Sequence, residues 1–519
     1  MNSTRHFVRP LLTRAVICAL AVQAASRLSA PRLLWAQCPG GTPPPCGGAR
    51  STAISPRSIA VLYFANRSAD SSDQYLADGL TEEIISRLTK LERLQVKSRT
   101  AVERFRESQA SPDSLGRALR VAQLVSGTVQ RSGSRLRVSV ELVRASTGVT
   151  AWAGQFDRAD MDLLDIQAAI ADTVAHELAG RLLPREHGAL RERPTTNPEA
   201  YDRFLRGSFR LARRTPEDVR AAIREFEAAV RLDPAFAEAH ARIALAYGVA
   251  LDWGWMEFDV QQSIRTGLAA SARALELDSS SADAWTSRGY ILRFANARTY
   301  SGVREAFDKA IALAPRDAEA YLQYGWALAA MGEQARAVSM LQRATALDPE
   351  RSITRFTLAM TLILFGRPSE ALLQLDSALA NDPTAPNLHG MRAWARLITG
   401  DVNGARADAM TETVDLRLAG SALAAIQVRT GDTAGARLTA QRMVANLPPP
   451  PSRLTWGAVW QAGGLGITGQ TDRVLDMLDR IEPQGLTVWL MSRWPAFDAI
   501  RSDPRFARFT AELAPPGAR

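Results

Sequence analysis

A 34-residue period in the second half of the chain restricts the fold more than any other feature. Proline and glycine both keep this step, at Pro315, Pro349 and Pro383 and at Gly332, Gly366 and Gly400. The interval from each proline to the next glycine has the length of one helix, and so has the interval that follows. A helix–turn–helix repeated at this period predicts a solenoid.

Side-chain spacing within one unit agrees with two packed helices. One face of the first helix carries the large and small residues Tyr321, Tyr324, Gly325 and Leu328. One face of the second helix carries Ala337, Leu341 and Ala344. This is the i, i+3, i+4, i+7 spacing of an amphipathic helix. Gly325 and Ala337 lack bulk, so the two backbones can approach each other closely, and Gly332 permits the turn between them.

This pattern resembles the tetratricopeptide repeat, and the following unit repeats it in type and spacing at Leu358, Ala359, Leu362, Gly366, Ala371, Leu375, Ala378 and Pro383. The resemblance implies an all-α superhelical solenoid over residues 197–446. We expect a degenerate repeat and a C-terminal cap over residues 452–515, because a solenoid needs its terminal apolar face shielded.

One position of the first helices is a candidate binding surface. When Trp285 is position 4, position 9 lies about 140° round the helix from it and faces away from the partner helix. Position 9 and two nearby positions hold the inner-face residues Leu245, Tyr290, Phe294, Trp326, Phe356, Met360 and Trp394. The resemblance implies that they line a concave groove that binds peptides. Two alternatives stay open: neighbouring first helices bury them, or another part of the chain fills the groove.

Residues 57–184 predict a small α/β domain. Ser58–Phe64 is an apolar run typical of a buried strand, and an amphipathic helix follows to Lys90. A short strand is expected at Leu94–Ser98 and a helix at Pro112–Leu119. Strands at Ala122–Gln130, Leu136–Arg144 and Val149–Phe156 then form hairpins, and a helix over Met161–Leu183 closes the domain. We expect a connector over Arg185–Arg193.

The domain resembles the amino-terminal domain of TolB and related TolB-like and FlgO-like proteins. The resemblance rests on Ser58–Phe64 with Asn66, on Tyr75–Ile85, and on Ser98–Thr100 and Gly127–Val129. It implies an interaction module without established chemistry. A cluster of acidic residues in this domain, at Asp78, Glu82 and Glu83, is a candidate for catalysis. We interpret these residues as structural, since acids near the start of a helix often compensate its dipole.

The N-terminus predicts export. Residues 1–14 are basic, Ala15–Ala25 is apolar and small residues follow, which is typical of a signal peptide or N-terminal anchor over residues 1–36. Residues 37–56 form a Pro/Gly-rich linker in which Cys38 and Cys46 either pair or stay free. The periplasm or cell envelope is therefore the expected location, and membrane anchoring by residues 15–36 is the alternative.

Composition and motifs exclude several other classes. The 519 residues carry a net charge of +9, but six arginines and no acids lie within residues 1–50. The remainder carries only +3, which is too little to indicate nucleic-acid binding. Gly464–Gly469 matches a dinucleotide fingerprint without the preceding strand that its chemistry needs. The histidines lack metal-ligand spacing, so we expect no metal, no cofactor and no catalysis.

The function that these features predict is an exported scaffold or adaptor. It would bind a protein or peptide partner through the repeats, with the α/β domain as a second interaction module. The alternative is a regulatory or sensor region of a signalling system, because similar domain pairs form the C-terminal parts of some bacterial cyclases and kinases. The sequence indicates neither the partner nor the oligomeric state.

Overall fold

The chain folds as a mixed sheet with helices, followed by helical hairpins. The structure, a computed structural model, describes residues 54–106, 108–133, 135–158, 163–180, 182–191, 193–253, 258–412, 416–445, 456–479 and 485–515. The predicted signal peptide and nearly all of the linker, with both of its cysteines, lie outside these ranges. The predicted fold class, α/β followed by an all-α solenoid of the tetratricopeptide type, is confirmed.

The N-terminal elements are β1 (Ser58–Val61), β2 (Ala65–Asn66), α1 (Gln74–Thr89), β3 (Gln95–Val96), α2 (Arg99–Glu103), α3 (Pro112–Leu119), β4 (Gln123–Ser132), β5 (Arg135–Arg144), β6 (Thr150–Arg158), α4 (Leu163–Ala179) and α5 (Pro184–Arg191). The sheet order is β3-β1-β4-β5-β6, and β2 also pairs with β4. Strand β1 runs parallel to β3 and β4, whereas β4, β5 and β6 are antiparallel hairpins. On β5, inward-facing Leu136, Val138, Val140 and Leu142 are buried.

Two predictions for this domain were wrong in detail. The first strand ends at Val61 instead of Phe64, because the Phe64 N–H is donated to Thr81 Oγ1 of α1 at 3.1 Å. The expected connector after residue 184 contains a helix, α5, whose Leu190 is fully buried. The sequence did not predict α5, because this arginine-rich helix lacks the apolar periodicity that identifies longer helices.

The repeats begin at α6 (Pro198–Ala212) and continue through α7 (Pro216–Leu232), α8 (Ala237–Trp253), α9 (Val260–Leu277), α10 (Ala282–Ala295), α11 (Val303–Leu313), α12 (Ala318–Ala330), α13 (Gln334–Leu347), α14 (Ser352–Leu364), α15 (Pro368–Asn381), α16 (Leu388–Thr399), α17 (Val402–Thr411), α18 (Leu416–Arg429), α19 (Thr433–Ala445), α20 (Trp456–Ile467) and α21 (Thr471–Asp479). After residues 480–484 comes the C-terminal segment, residues 485–513. It comprises α22 (Leu486–Ser492), a 3₁₀ helix (Pro495–Ile500) and α23 (Pro504–Leu513).

The glycine turns have the geometry that the period predicts. Gly332, Gly366 and Gly400 adopt φ values of +79°, +72° and +97°, a region that side chains disfavour. A Cβ on Gly325 would lie 2.7 Å from Leu341 Cγ, so the two helices of that unit approach as closely as expected. Gly431 and Gly469 also have positive φ; Gly431 lies in the turn between α18 and α19, and Gly469 lies in the turn between α20 and α21.

Two large hydrophobic clusters hold the described chain together. The first core runs from Ile59 to Phe294 and joins the α/β domain to the first repeats. The second core runs from Tyr300 to Leu513 and joins the later repeats to the C-terminal segment. The C-terminal segment is therefore packed into the body of the repeats.

A buried carboxylate ties α16 to α17. Asp408 is 3% exposed, accepts a hydrogen bond from Arg392 Nη2 at 2.6 Å and forms an ion pair with Arg396 Nη1 at 2.9 Å. We expect Asp408→Asn to lower the free energy of unfolding by roughly 2–3 kcal/mol, because it removes the buried negative charge that both guanidinium groups contact. Urea unfolding followed by circular dichroism would measure this loss.

Asp376→Asn is the matched control. Asp376 also pairs with Arg392, at 2.9 Å, but its side chain is 57% exposed. Water already screens this pair, so we expect a loss below about 1 kcal/mol. Equal losses for the two variants would contradict the role given to burial.

Candidate functional site

The structure corrects the predicted binding surface. Of the seven inner-face residues, six are buried, namely Tyr290, Phe294, Trp326, Phe356, Met360 and Trp394, and Leu245 is half-buried. The expectation that these side chains form an open aromatic groove is therefore wrong. Both of the alternatives left open by the sequence contribute, and they act at different repeats.

At Tyr290 the neighbouring first helix provides the cover. A Cβ on Gly248 of α8 would lie 3.0 Å from the Tyr290 ring, so the ring lies directly against that backbone. Tyr290 Oη donates to Asp252 Oδ2 at 2.8 Å, and Arg293 Nη2 lies 3.2 Å from the same carboxylate. Burial, and after it the Asp252 carboxylate, raises the pKa of Tyr290 well above its usual range. This phenol is a structural donor at neutral pH.

The C-terminal segment covers the next repeats. Leu486 N–H donates to the Ala297 carbonyl oxygen at 2.8 Å, and Thr487 Oγ1 hydrogen-bonds to Tyr300 Oη. Burial raises the pKa of Tyr300. Helix α22 then packs on α12, the helix that carries Trp326. All these contacts join residues far apart in sequence, and they bring the segment onto the first helices.

Trp494 completes this cover at Trp394. The two rings meet edge to face, with centroids 5.5 Å apart and an interplanar angle of 70°. Trp394 Nε1 donates to Ser421 Oγ at 2.9 Å, whereas Trp494 Nε1 has no acceptor among the described residues. Trp494 is fully buried. Residues that the sequence indicated only as a terminal cap therefore occupy the predicted binding face.

The α/β domain also contacts the repeats. Tyr75 Oη donates to Asp202, and Arg206 Nη2 donates to Tyr75 Oη at 2.8 Å. Tyr201 Oη donates to Gln167 Oε1 at 2.8 Å inside the first core. A second contact lies further along the repeats, where Ser98 Oγ donates to Asp348 Oδ1 at 2.8 Å and Arg104 lies 3.6 Å from Glu350. The sequence did not predict these pairs, since no local pattern reveals contacts between residues that lie 34 to 250 positions apart.

The other candidate residues lie in structural settings. Asp78 pairs with Arg106 at 2.5 Å, Glu82 with Arg99 at 3.1 Å and Glu83 with Arg87 at 2.8 Å. Gly464 and Gly466 lie within α20, and Gly469 lies in the turn after it, so the described residues directly before this motif, from Trp456, are helical. The described residues contain neither a cluster of metal-binding side chains nor a helix long and apolar enough to cross a membrane.

Comparison with known families assigns different parts of the chain to different models. Residues 55–173 match the second domain of HilA/YgeH-like transcriptional regulators. Residues 306–339 and 328–395 match tetratricopeptide repeat models. The model that matches the α/β domain is thus not described as TolB-like, and the resemblance to TolB stays a prediction.

A curated relative is similar to part of the chain. A putative adenylate cyclase 3 of Rhizobium meliloti (strain 1021) is 30% identical over 188 residues, which are 36% of this chain and 32% of that protein. The chain thus spans about a third of the length of this relative.

Three solved structures are also similar to parts of the chain. A thermophilic tetratricopeptide protein of Thermus thermophilus is 22% identical, covering 38% of this chain and 99% of its own, with a TM-score of 0.33. Pseudomonas aeruginosa PilF is 19% identical over 42% and 94% of the two chains, with a TM-score of 0.34. Yeast Tom70 is 14% identical over 68% and 82%, with a TM-score of 0.39. The family models and the observed helical hairpins show that the C-terminal part of this chain contains tetratricopeptide repeats.

Proposed function

We propose that the chain is a non-catalytic scaffold that holds a protein or peptide partner against the inner face of its repeats. One observation carries this proposal: a segment from outside the repeat hairpins, residues 485–497, contacts Ala297, α12 and Trp394, and most of its apolar side chains are buried. The face therefore has the shape and chemistry to hold a foreign segment. The α/β domain would be a second interaction module.

Photo-crosslinking from the inner face tests this proposal. Leu245 is the one inner-face residue that is not fully covered, so a photoreactive amino acid at this position can reach a partner. We expect a discrete adduct of higher mass when the full chain is irradiated in its own cells. Leu373 is the control, because it lies on the second helix of a repeat and is 68% exposed. Equal adducts from both positions, or adducts from Leu373 alone, would contradict the proposal.

We further propose that the scaffold is exported to the periplasm or cell envelope, on the basis of the basic and apolar residues 1–36. A phosphatase reporter fused after Arg519 would be active outside the cytoplasm and inactive inside it. We expect activity in the full-length fusion and loss of activity when residues 1–36 are deleted.

A second candidate function is the regulatory region of a signalling system. Two observations favour it: the model matching residues 55–173 describes a transcriptional regulator, and the curated relative is described as a putative adenylate cyclase. In this alternative the repeats would still bind a partner, but inside the cell. An inactive phosphatase fusion together with an active cytoplasmic β-galactosidase fusion would favour this candidate over export.

A further inference from the structure

We infer that residues 485–497 are a built-in ligand of the inner face, which keeps the face closed to other segments while they are in place. This inference rests on the proposed function and adds its regulation. It also assigns the chemistry of the competing partner: a short apolar helix followed by Trp-Pro, as in Leu486–Pro495 of this chain.

The inner face holds residues 485–497 through buried apolar side chains, as it would hold a ligand. Leu486, Val488, Leu490 and Met491 are each at most 3% exposed, and Trp489 is 6% exposed. Its contacts fall on Ala297 in the turn after α10, on α12 and on Trp394 of α16. A groove recognises an amphipathic helix through such spaced apolar anchors.

One polar group of the segment is left unpaired by the described residues in its bound position. The Trp494 indole N–H is buried without an acceptor in the described structure, and a buried donor left unpaired weakens the closed state. Residues 480–484 join the segment covalently to the last repeat. A Trp-Pro segment in trans whose own indole N–H reaches an acceptor would compete on better terms than its apolar burial alone provides.

A substitution at Gly485 can release the segment without altering the inner face. Gly485 lies so close to Ala297 that a Cβ would overlap the Ala297 carbonyl group and come within 2.8 Å of its Cβ. Backbone cannot move aside as a flexible side chain can. Gly485→Ala should therefore push the segment away while every inner-face residue is unchanged.

Full-length protein provides the test, with Gly188→Ala as the control because a Cβ on Gly188 meets no atom within 4 Å. The probe is a fluorescent peptide with the sequence of residues 485–500, and binding is followed by anisotropy. We expect Gly485→Ala to bind the peptide at least about tenfold more tightly than wild type or Gly188→Ala. A peptide carrying Trp494→Ala should lose this gain.

Hydrogen exchange separates the outcomes. We expect exchange of amides 486–492 to accelerate on the order of 100-fold in Gly485→Ala, while α12 and α16 stay protected. Thr487→Val, which removes only the bond to Tyr300, should give a smaller change in the same direction. Release without peptide binding, or loss of protection throughout the second core, would overturn the inference. Tight peptide binding to wild type would also overturn it, yet that result would support the proposed function.

Discussion

Replacing Trp494 with alanine is expected to lower the free energy of unfolding by roughly 3–5 kcal/mol, the range for deleting a large buried aromatic side chain. The indole is fully buried and lies edge-on against Trp394. Alanine would leave a cavity between the C-terminal segment and the first helices, and the surrounding helices can close it only partly. Urea unfolding followed by circular dichroism measures the loss.

Two further variants isolate the cause. Trp494→Phe keeps an aromatic ring and removes the unpaired indole N–H, so it should cost less than half of the alanine effect. Leu373→Ala changes a side chain that is 68% exposed and should stay within about 0.5 kcal/mol of wild type. A Trp494→Ala protein as stable as Leu373→Ala would show that the segment does not occupy the face in solution.

Tyr201→Ala is expected to destabilise the α/β domain and the first repeat together, by roughly 3–5 kcal/mol. Tyr201 is 3% exposed, and its ring stacks on that of Phe204 with the centroids 6.1 Å apart. Its hydroxyl donates a hydrogen bond to Gln167 Oε1 of α4. It thus belongs to the core that both parts share. Hydrogen exchange should therefore accelerate in β4 and β5 as well as in α6, because one cooperative unit opens as a whole.

Tyr201→Phe is the matched variant for this prediction. It keeps the ring and removes only the hydrogen bond to Gln167, so we expect a loss of about 1 kcal/mol. Faster exchange in α6 with unchanged exchange in β4 and β5 would contradict the shared core, and it would indicate two modules that fold independently.

The sequence predicted the repeats because their signals are local and periodic. The 34-residue step, the helix spacing and the turn glycines all act within one or two units, and the positive φ of Gly332 is the conformation that such a turn requires. Helix α3 was predicted with its observed bounds, Pro112–Leu119, because Ser111 caps it and Pro112 begins it. The hairpins β4–β5 and β5–β6 were predicted by alternation and by turn residues between the strands.

The state of the inner face was not predictable in the same way. Position 9 indicates which side chains face away from the partner helix, but not what covers them. That depends on contacts such as Leu486 with Ala297 and Trp494 with Trp394, which join residues 100 or more positions apart and leave no periodic signal. The sequence predicted a degenerate repeat and a C-terminal cap over residues 452–515. It contained no signal that Leu486–Ser492, within this region, reaches back to Ala297 and α12.

The burial of the inner face changes how substitutions there must be interpreted. Replacing Trp326 and Trp394 with alanine would be a clean test of binding on an open groove. Both residues are buried, at 6% and 3% exposure, so the double variant would lose stability as well as any contact with a partner. Gly485→Ala is the more specific variant, since it acts on the occupant and leaves the face intact.

The central claim is that the C-terminal segment lies on the inner face of the repeats, and the contact between Trp394 and Trp494 tests it most directly. Nuclear Overhauser effects between the two indole rings can be measured in protein labelled selectively at tryptophan, with Trp494→Phe used for assignment. We predict cross-peaks between the rings, whose centroids are 5.5 Å apart. Assigned resonances without any cross-peak, together with rapid exchange of the amides in α22, would contradict the account.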